Sequence, residues 1–183
     1  MPGVPVITVS ETGLQIDGDA IGFDQIETVA YLRRAVHGSG TIIDVLRRFE
    51  ASGGGGRVSV KLDGAMVERE EKEQGWRTLV AASQEWIEPR LRAQVLERIH
   101  DHGASVRVAK VELRPDGFAW RTGLRAKRYP WSEFGRAYYA ASRIRVMAKR
   151  GDGKEKQIGQ MFTDEPNAVL LPKLMADCFK SFG

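Results

Sequence analysis

Residues Val111 to Tyr139 read VELRPDGFAWRTGLRAKRYPWSEFGRAYY, and the punctuation of this stretch decides the fold class. Val111 to Arg114 is a strand, Pro115-Asp116-Gly117 a tight turn, and Phe118 to Arg121 a second strand. Pro presets one dihedral of such a turn and Gly supplies the positive one. A hairpin tip at Thr122-Gly123 follows. A third strand ends at Tyr129-Pro130-Trp131, and another starts near Phe134.

The same grammar extends outward in both directions. Upstream, VITVSETGLQI (residues 6 to 16) alternates and turns at Thr12-Gly13, and Leu14 to Ile16 continues as a strand. Asp17 to Asp19 forms a hairpin, Ala20 to Phe23 is extended, and Asp24 to Glu27 makes a short turn. Thr28 to Leu32 is rich in strand formers. Arg33 to Gly40 reads as a loop. Thr41 to Phe49 fits a strand or a short helix, and its apolar run favours the strand. Ser52 to Gly56 reads as a flexible connection without a ligand, because Arg57 to Lys61 after it is another strand. A phosphate-cradling glycine loop would lead into a helix.

Residues 66 to 74 are acidic and polar, a surface lead-in to the main helical signal from Trp76 to His102. Pro89 removes a donor inside that signal and pushes Glu88 away from helix. A break or kink near Glu88 is therefore expected, with Trp86 half-exposed beside it. Gly103 is the stop. Downstream, Arg143 to Ala148 alternates, Gly151-Asp152-Gly153 turns, and Lys156 to Phe162 returns. Asn167 is the expected cap of a last amphipathic helix, striped by Leu170, Leu171, Leu174, Met175, Cys178, Phe179 and Phe182.

The two halves run in parallel. Gly13-Leu14 matches Gly117-Phe118, Phe23-Asp24-Gln25-Ile26 matches Trp131-Ser132-Glu133-Phe134, and Tyr31 matches Tyr139. Strands followed by one closing helix make an α+β layout. The period near 100 residues is too long for a solenoid.

The order of strand, Asp-Gly turn, strand, hairpin, Pro130-Trp131-Ser132-Glu133-Phe134 and strand, with a closing helix, resembles the pleckstrin-homology-like (PH-like) superfold and its GRAM and bacterial versions. Pro166-Asn167 before the last helix is similar to an uncharacterised family with that fold. The resemblance implies two tandem PH-like β-barrels or sandwiches, each closed by a C-terminal amphipathic helix. The first would span residues 1–88 and the second 104–183, with a helical linker at 89–103. In the first copy Gly22-Phe23 stands where the pattern has Pro-Trp.

Composition bounds the function. The chain has 183 residues, 42% of them hydrophobic, enough for one large or two small cores. No apolar run approaches the length of a membrane span. The first residues lack the charged and apolar blocks of a secretory leader. A single cysteine cannot form an internal disulfide, which points to the cytoplasm. Residues 1–103 hold 12 Lys+Arg against 16 Asp+Glu, a balance of −4, whereas residues 104–183 hold 16 against 8, a balance of +8.

No nucleotide, hydrolase or redox motif is present, so an enzyme is not expected, nor a cofactor. His100 and His102 point to different sides of a helix and do not make a metal site. Cys178 reads as a core thiol. The four tryptophans read as core. The candidate binding residues are Arg121, Arg125, Lys127 and Arg128 around the Gly123 hairpin, with Arg143 and Arg145 on a strand that could pair with it. In lipid-binding PH-like proteins, basic residues of the first hairpin grip head-group phosphates, and the resemblance gives Arg125 and Lys127 a comparable place. Expected, then, is a non-enzymatic adaptor that binds a protein partner. The alternative is an anionic membrane surface held by residues 121–128. Nucleic acid is a third reading, opposed by the scarcity of aromatics among the cations.

Overall fold

A computed structural model describes residues 5–63 and 69–183. The chain divides into two compact units, residues 1–90 and 91–183. Both are mixed α+β, with antiparallel sheets.

In the first unit, β1 (Ile7–Val9), β2 (Gly13–Ile16) and β3 (Asp19–Gly22) form one sheet. A single 3-10 turn, Phe23–Gln25, leads into a second sheet of β4 (Ile26–Gly38), β5 (Thr41–Gly53) and β6 (Gly56–Lys61). Helix α1 (Arg69–Ala82) follows. In the second unit, β7 (Val106–Val108), β8 (Val111–Arg114), β9 (Gly117–Thr122) and β10 (Arg125–Pro130) form a four-stranded sheet in the order β10-β9-β8-β7. The 3-10 turn Trp131–Glu133 leads to β11 (Phe134–Ala140), β12 (Arg143–Lys149) and β13 (Glu155–Phe162). A 3-10 turn at Ala168–Leu170 and helix α3 (Leu171–Phe182) close the unit. Strand pairing leaves four separate sheets, so no closed barrel forms among the described residues.

The units repeat each other in detail. Gly13 pairs with Gly22, and Gly117 pairs with Pro130, the residue that precedes the 3-10 turn in each unit. A methyl group on Gly13 would lie 2.5 Å from the Ile21 carbonyl oxygen, and one on Gly117 would lie 2.2 Å from that of Tyr129. Ile26 faces Gly53 and Phe134 faces Ala148, and directly after both pairs the register slips. The repeat is thus geometric even where the side chains differ.

Each core fills by the rule of alternation. In β5 the inward residues Val45, Phe49 and Ala51 are buried. Tyr31 stacks on Phe49 and meets the edge of Trp76 from α1. In the second unit Phe118 touches Tyr129, Trp131 and Phe134, with ring centroids 5.3 to 5.8 Å apart. Trp120 lies so close to β13 that only a glycine fits opposite it. A methyl on Gly159 would fall 2.0 Å from the indole.

Four expectations are corrected. Arg33 to Gly38 is not loop but the far part of β4, paired with β5 as far as Gly38 and Thr41. The turn at Ser39-Gly40, with φ of 50° and 84°, closes this long hairpin, so the strand signal was masked by charged residues on an exposed ribbon. Ser52 to Gly56 is not a flexible connection but the end of a tight hairpin in which Gly53 pairs with Gly56. The acidic stretch 66 to 74 is helical from Arg69 onward, and residues 66–68 lie outside the described residues, as do residues 1–4, on which the reading of the leader partly falls. Of the break or kink expected near Glu88, the break does not occur: the chain stays helical through Pro89. A π-helical turn, Ser83–Ile87, joins α1 to α2 (Glu88–His102), and Glu88 is helical at φ −61°, ψ −42°. A wide π turn relieves the clash and the missing donor that a proline brings to an α-helix. The boundary between the two units falls after Arg90, within this helical run.

Two buried polar clusters hold the first unit. Arg47 is almost fully buried and donates through Nε and Nη2 to Glu73 Oε2, at 2.8 and 2.5 Å, and through Nη1 to the Val45 carbonyl at 3.1 Å. Tyr31 and Ser83 both donate to Glu88 Oε1, and Arg90 donates to the Ile26 carbonyl.

The close approach at Gly117 predicts that Gly117→Ala destabilises the chain by about 2 kcal/mol. The turn variant Gly151→Ala meets nothing within 4 Å and should stay within about 0.5 kcal/mol of the parent in urea unfolding.

Candidate functional site: a basic cleft in the second unit

The site begins with two sheet edges. β10 ends one sheet and β13 ends the other. On β10, Arg125, Ala126, Lys127 and Arg128 are all exposed, and the strand becomes buried only at Tyr129. Lys127 pairs with Trp120, and Tyr129 with Phe118. Directly paired residues share a face, so Lys127 continues the inner face beyond the core, with its ammonium 5.1 Å from the Tyr129 ring centre.

β13 reaches the same place through an irregularity. Val146 pairs with Gly159, but Met147 pairs with Gln157, so Ile158 is an extra residue on β13. A bulge re-aims the side chains that follow it. It puts Lys156 opposite the buried Ala148, on the inner face.

Between the edges lies a cleft of about 710 Å³. Its basic lining is Lys127, Lys149, Arg150 and Lys156, and Ser132 and Glu133 of the 3-10 turn face them. Glu133 is the one carboxylate in the lining. Among the described residues, none of the four cations is held in an ion pair. Lys149 lies over the Phe179 ring, 5.6 Å from its centre. Such convergence of unneutralised cations favours a multiply charged anion.

The structure sorts the sequence candidates into three groups. Lys127 enters the cleft, and Arg125 and Arg128 stand on the same exposed edge strand. Beside them the tip residue Leu124 is 101% exposed. Arg121 is neutralised: its Nη1 donates to Glu112 Oε2 at 2.9 Å. Arg143 and Arg145 are elsewhere. Their strand β12 pairs with β11 and β13, not with the 121–128 hairpin. Arg143 is six residues from Lys149, roughly 20 Å along a strand. Its guanidinium lies over Phe162, 4.8 Å from the ring centre, and Arg136 covers Tyr138 in the same way at 5.1 Å.

Sequence reasoning missed Lys149, Arg150 and Lys156. In sequence Lys156 is simply part of a strand and Gly151 to Gly153 a turn, and the two edges meet only in the folded unit. The one available signal was the density of cations from Lys149 to Lys156.

Other candidate chemistry is accounted for. His100 packs on Phe182, with centroids 4.6 Å apart, and among the described residues no group of three or more His, Cys, Asp or Glu could hold a metal. Cys178 is buried in α3, and that burial, then the Asp177 charge, pushes its thiol up to about 12. No helix among the described residues is long and apolar enough to cross a membrane. Trp76, Trp120 and Trp131 are buried, and Trp86 is 43% exposed, stacked on Phe23. No protein-family model and no curated protein matches the chain.

Glu112 gathers the cations of the other face of this sheet, Arg114 and Arg121. Hydrogen bonds from Ser105 and Arg114, and then from Arg121, hold its carboxyl down to about 2. A depressed carboxylate contributes stability that is present above its unfolded value, about 4.3, and is lost as the pH falls toward 2. Thermal melts between pH 5 and pH 2.5 should therefore show a smaller acid-induced fall for Glu112→Gln than for the parent.

Proposed function

We propose that the chain is a non-enzymatic binding module of two tandem PH-like units, and that its second unit docks on anionic head groups at a membrane surface. The PH-like reading is supported by the shared plan of the units: antiparallel strands, a 3-10 corner, a three-stranded sheet and then a helix. It is supported further by the matched glycines at Gly13 and Gly117.

One observation carries the membrane reading. The β9–β10 hairpin and the cleft beside it present Arg125, Lys127, Arg128, Lys149, Arg150 and Lys156, none of them in an ion pair among the described residues and with Glu133 the one carboxylate of the cleft lining. At the hairpin tip, Leu124 is fully exposed. Clustered cations gain attraction at an anionic bilayer, and a neighbouring apolar side chain adds to it.

A protein adaptor is the second reading, favoured by the free edges of β10 and β13, to which a partner strand could add. The basic side chains along β10 oppose such addition, since charge on an edge strand is how sheets avoid it. Nucleic acid is less well served, because Phe162 and Tyr138 already carry guanidinium groups on their rings.

Sedimentation with vesicles tests the reading. Vesicles with phosphatidylserine should pull the chain down, neutral phosphatidylcholine vesicles should not, and salt should weaken the effect. Arg125→Ala/Lys127→Ala should reduce binding about tenfold or more. Equal partition to neutral and anionic vesicles would end the membrane reading.

A further inference from the structure

The sheet of β11, β12 and β13 has two unlike faces. Its inner face meets α3, where Phe134 packs on Phe179 and Ile144, Val146 and Met161 are buried. On the outer face, directly paired residues stand in rows across the strands. One row is Ala140-Arg143-Phe162 and the next is Tyr138-Arg145-Gln160. In the third, Arg136 pairs with Met147, which pairs with Gln157. The three arginines and Phe162 are exposed, and Tyr138 and Met147 are half-buried. These rows contain neither a lysine nor a carboxylate.

Two of the arginines are held on rings, Arg143 over Phe162 at 4.8 Å and Arg136 over Tyr138 at 5.1 Å. A guanidinium resting on a ring is positioned in advance, while its planar N–H fork stays available to a carboxylate. Arg136 already meets Glu155, from Nε to Oε2 at 3.0 Å. Among the described residues, Arg143 and Arg145 are in no ion pair.

The first unit is an internal comparison. Its corner is shut, since a methyl on Gly53 would collide with the Gln25 carbonyl oxygen, where the second unit has Ala148 opposite the turn. Counting from those positions, its equivalent outer rows are Leu32-Arg48-Lys61, Ala30-Glu50-Ser59 and Thr28-Ser52-Arg57. No ring stands in them. Glu50 takes Arg57 at 2.7 Å, and Thr28 and Ser52 share a hydrogen bond at 2.6 Å. One plan thus carries a face whose polar groups answer each other and a face whose arginines do not.

We propose that the outer face of β11, β12 and β13 docks one acidic segment of another protein. Its carboxylates sit on Arg143 and Arg145, and an apolar side chain packs on Phe162 and Met147. Charge-assisted, forked bonds to carboxylates are what these arginines offer. Composition favours a protein: Arg, Tyr, Phe and Met are enriched where proteins meet, and lysine is depleted there. The lysines of this unit's candidate site line the cleft instead. Rings covered by guanidinium groups give nucleobases no platform for stacking. Two strand spacings make the face about 10 Å wide, which suits one helix or one extended chain. The proposal is independent of the membrane docking above and uses none of its residues.

A short fluorescein-labelled peptide in which Glu alternates with Leu and Phe serves as probe, read by anisotropy and by amide shifts of the isotope-labelled chain. Expected are shifts at Arg145 and Gln160, and a loss of about 30-fold in Arg143→Ala/Arg145→Ala. Arg143→Lys/Arg145→Lys keeps the charge but not the fork, and should still lose about tenfold. Gln160→Arg should bind about threefold more tightly, a gain that misfolding cannot mimic. Arg125→Ala/Lys127→Ala should bind the peptide as the parent does. No binding by the parent, parent affinity in Arg143→Ala/Arg145→Ala, or shifts confined to Lys127, Lys149 and Lys156 would overturn the proposal. So would oligothymidylate held on this face as tightly as the peptide. Failure of vesicle binding would leave it standing.

Discussion

A single turn of 3-10 helix sets the geometry of each unit. It carries the chain from one sheet to the next within three residues, and its first side chain, Phe23 or Trp131, is buried as it does so. Trp131 is fixed twice. Its ring packs against Phe118 and Phe134, and its indole nitrogen donates to the Arg114 carbonyl at 3.0 Å. A buried indole needs such a partner. With the corner anchored, strand register decides what stands opposite it. Where a glycine faces the turn, the sheets close upon each other. Where alanine faces it and the next hairpin is longer, they part. The same local device thus yields a sealed corner in one unit and a cleft in the other.

Charge follows that division. In the first unit the deeply buried Arg47 is matched by Glu73 and two carbonyls. Arg57 pairs with Glu50 on the surface. In the second unit, Glu112 ties up Arg114 and Arg121, and Glu155 takes Arg136. Among the described residues, the cations on the two sheet edges are held in no ion pair. The positive balance of residues 104–183 was visible in the composition, but its useful part is only the fraction that escapes pairing.

How legible this was in the sequence depended on range. Turns written in Pro, Gly and Asp were readable because their dihedral demands are local: Pro115 to Gly117 and Gly151 to Gly153 sit where expected. The strand at Thr41 and the closing stripe of α3 followed from periodicity. The β4–β5 ribbon was misread because Arg33, Arg34 and His37 look like loop when no partner strand is in view. The π turn just before Pro89 has no signature of its own, so the sequence showed a disturbance near Glu88 but not its form. Site residues divided the same way. Lys127 was found because it belongs to a hairpin with clear punctuation. Lys156 was not, because only the bulge at Ile158 turns it inward, and a bulge is a property of pairing. Arg121 and Arg143 looked equivalent to Lys127 in sequence, and only their neighbours tell them apart.

The lone cysteine acquires a use from its position. Cys178 is sealed within α3 and its thiol is held far above the pH of ordinary buffers, so in the native state it offers alkylating reagents neither access nor thiolate. Label should enter only when the terminal helix lifts away, and the rate of labelling then becomes a clock for the opening of that one helix, free of interference from any other sulfhydryl.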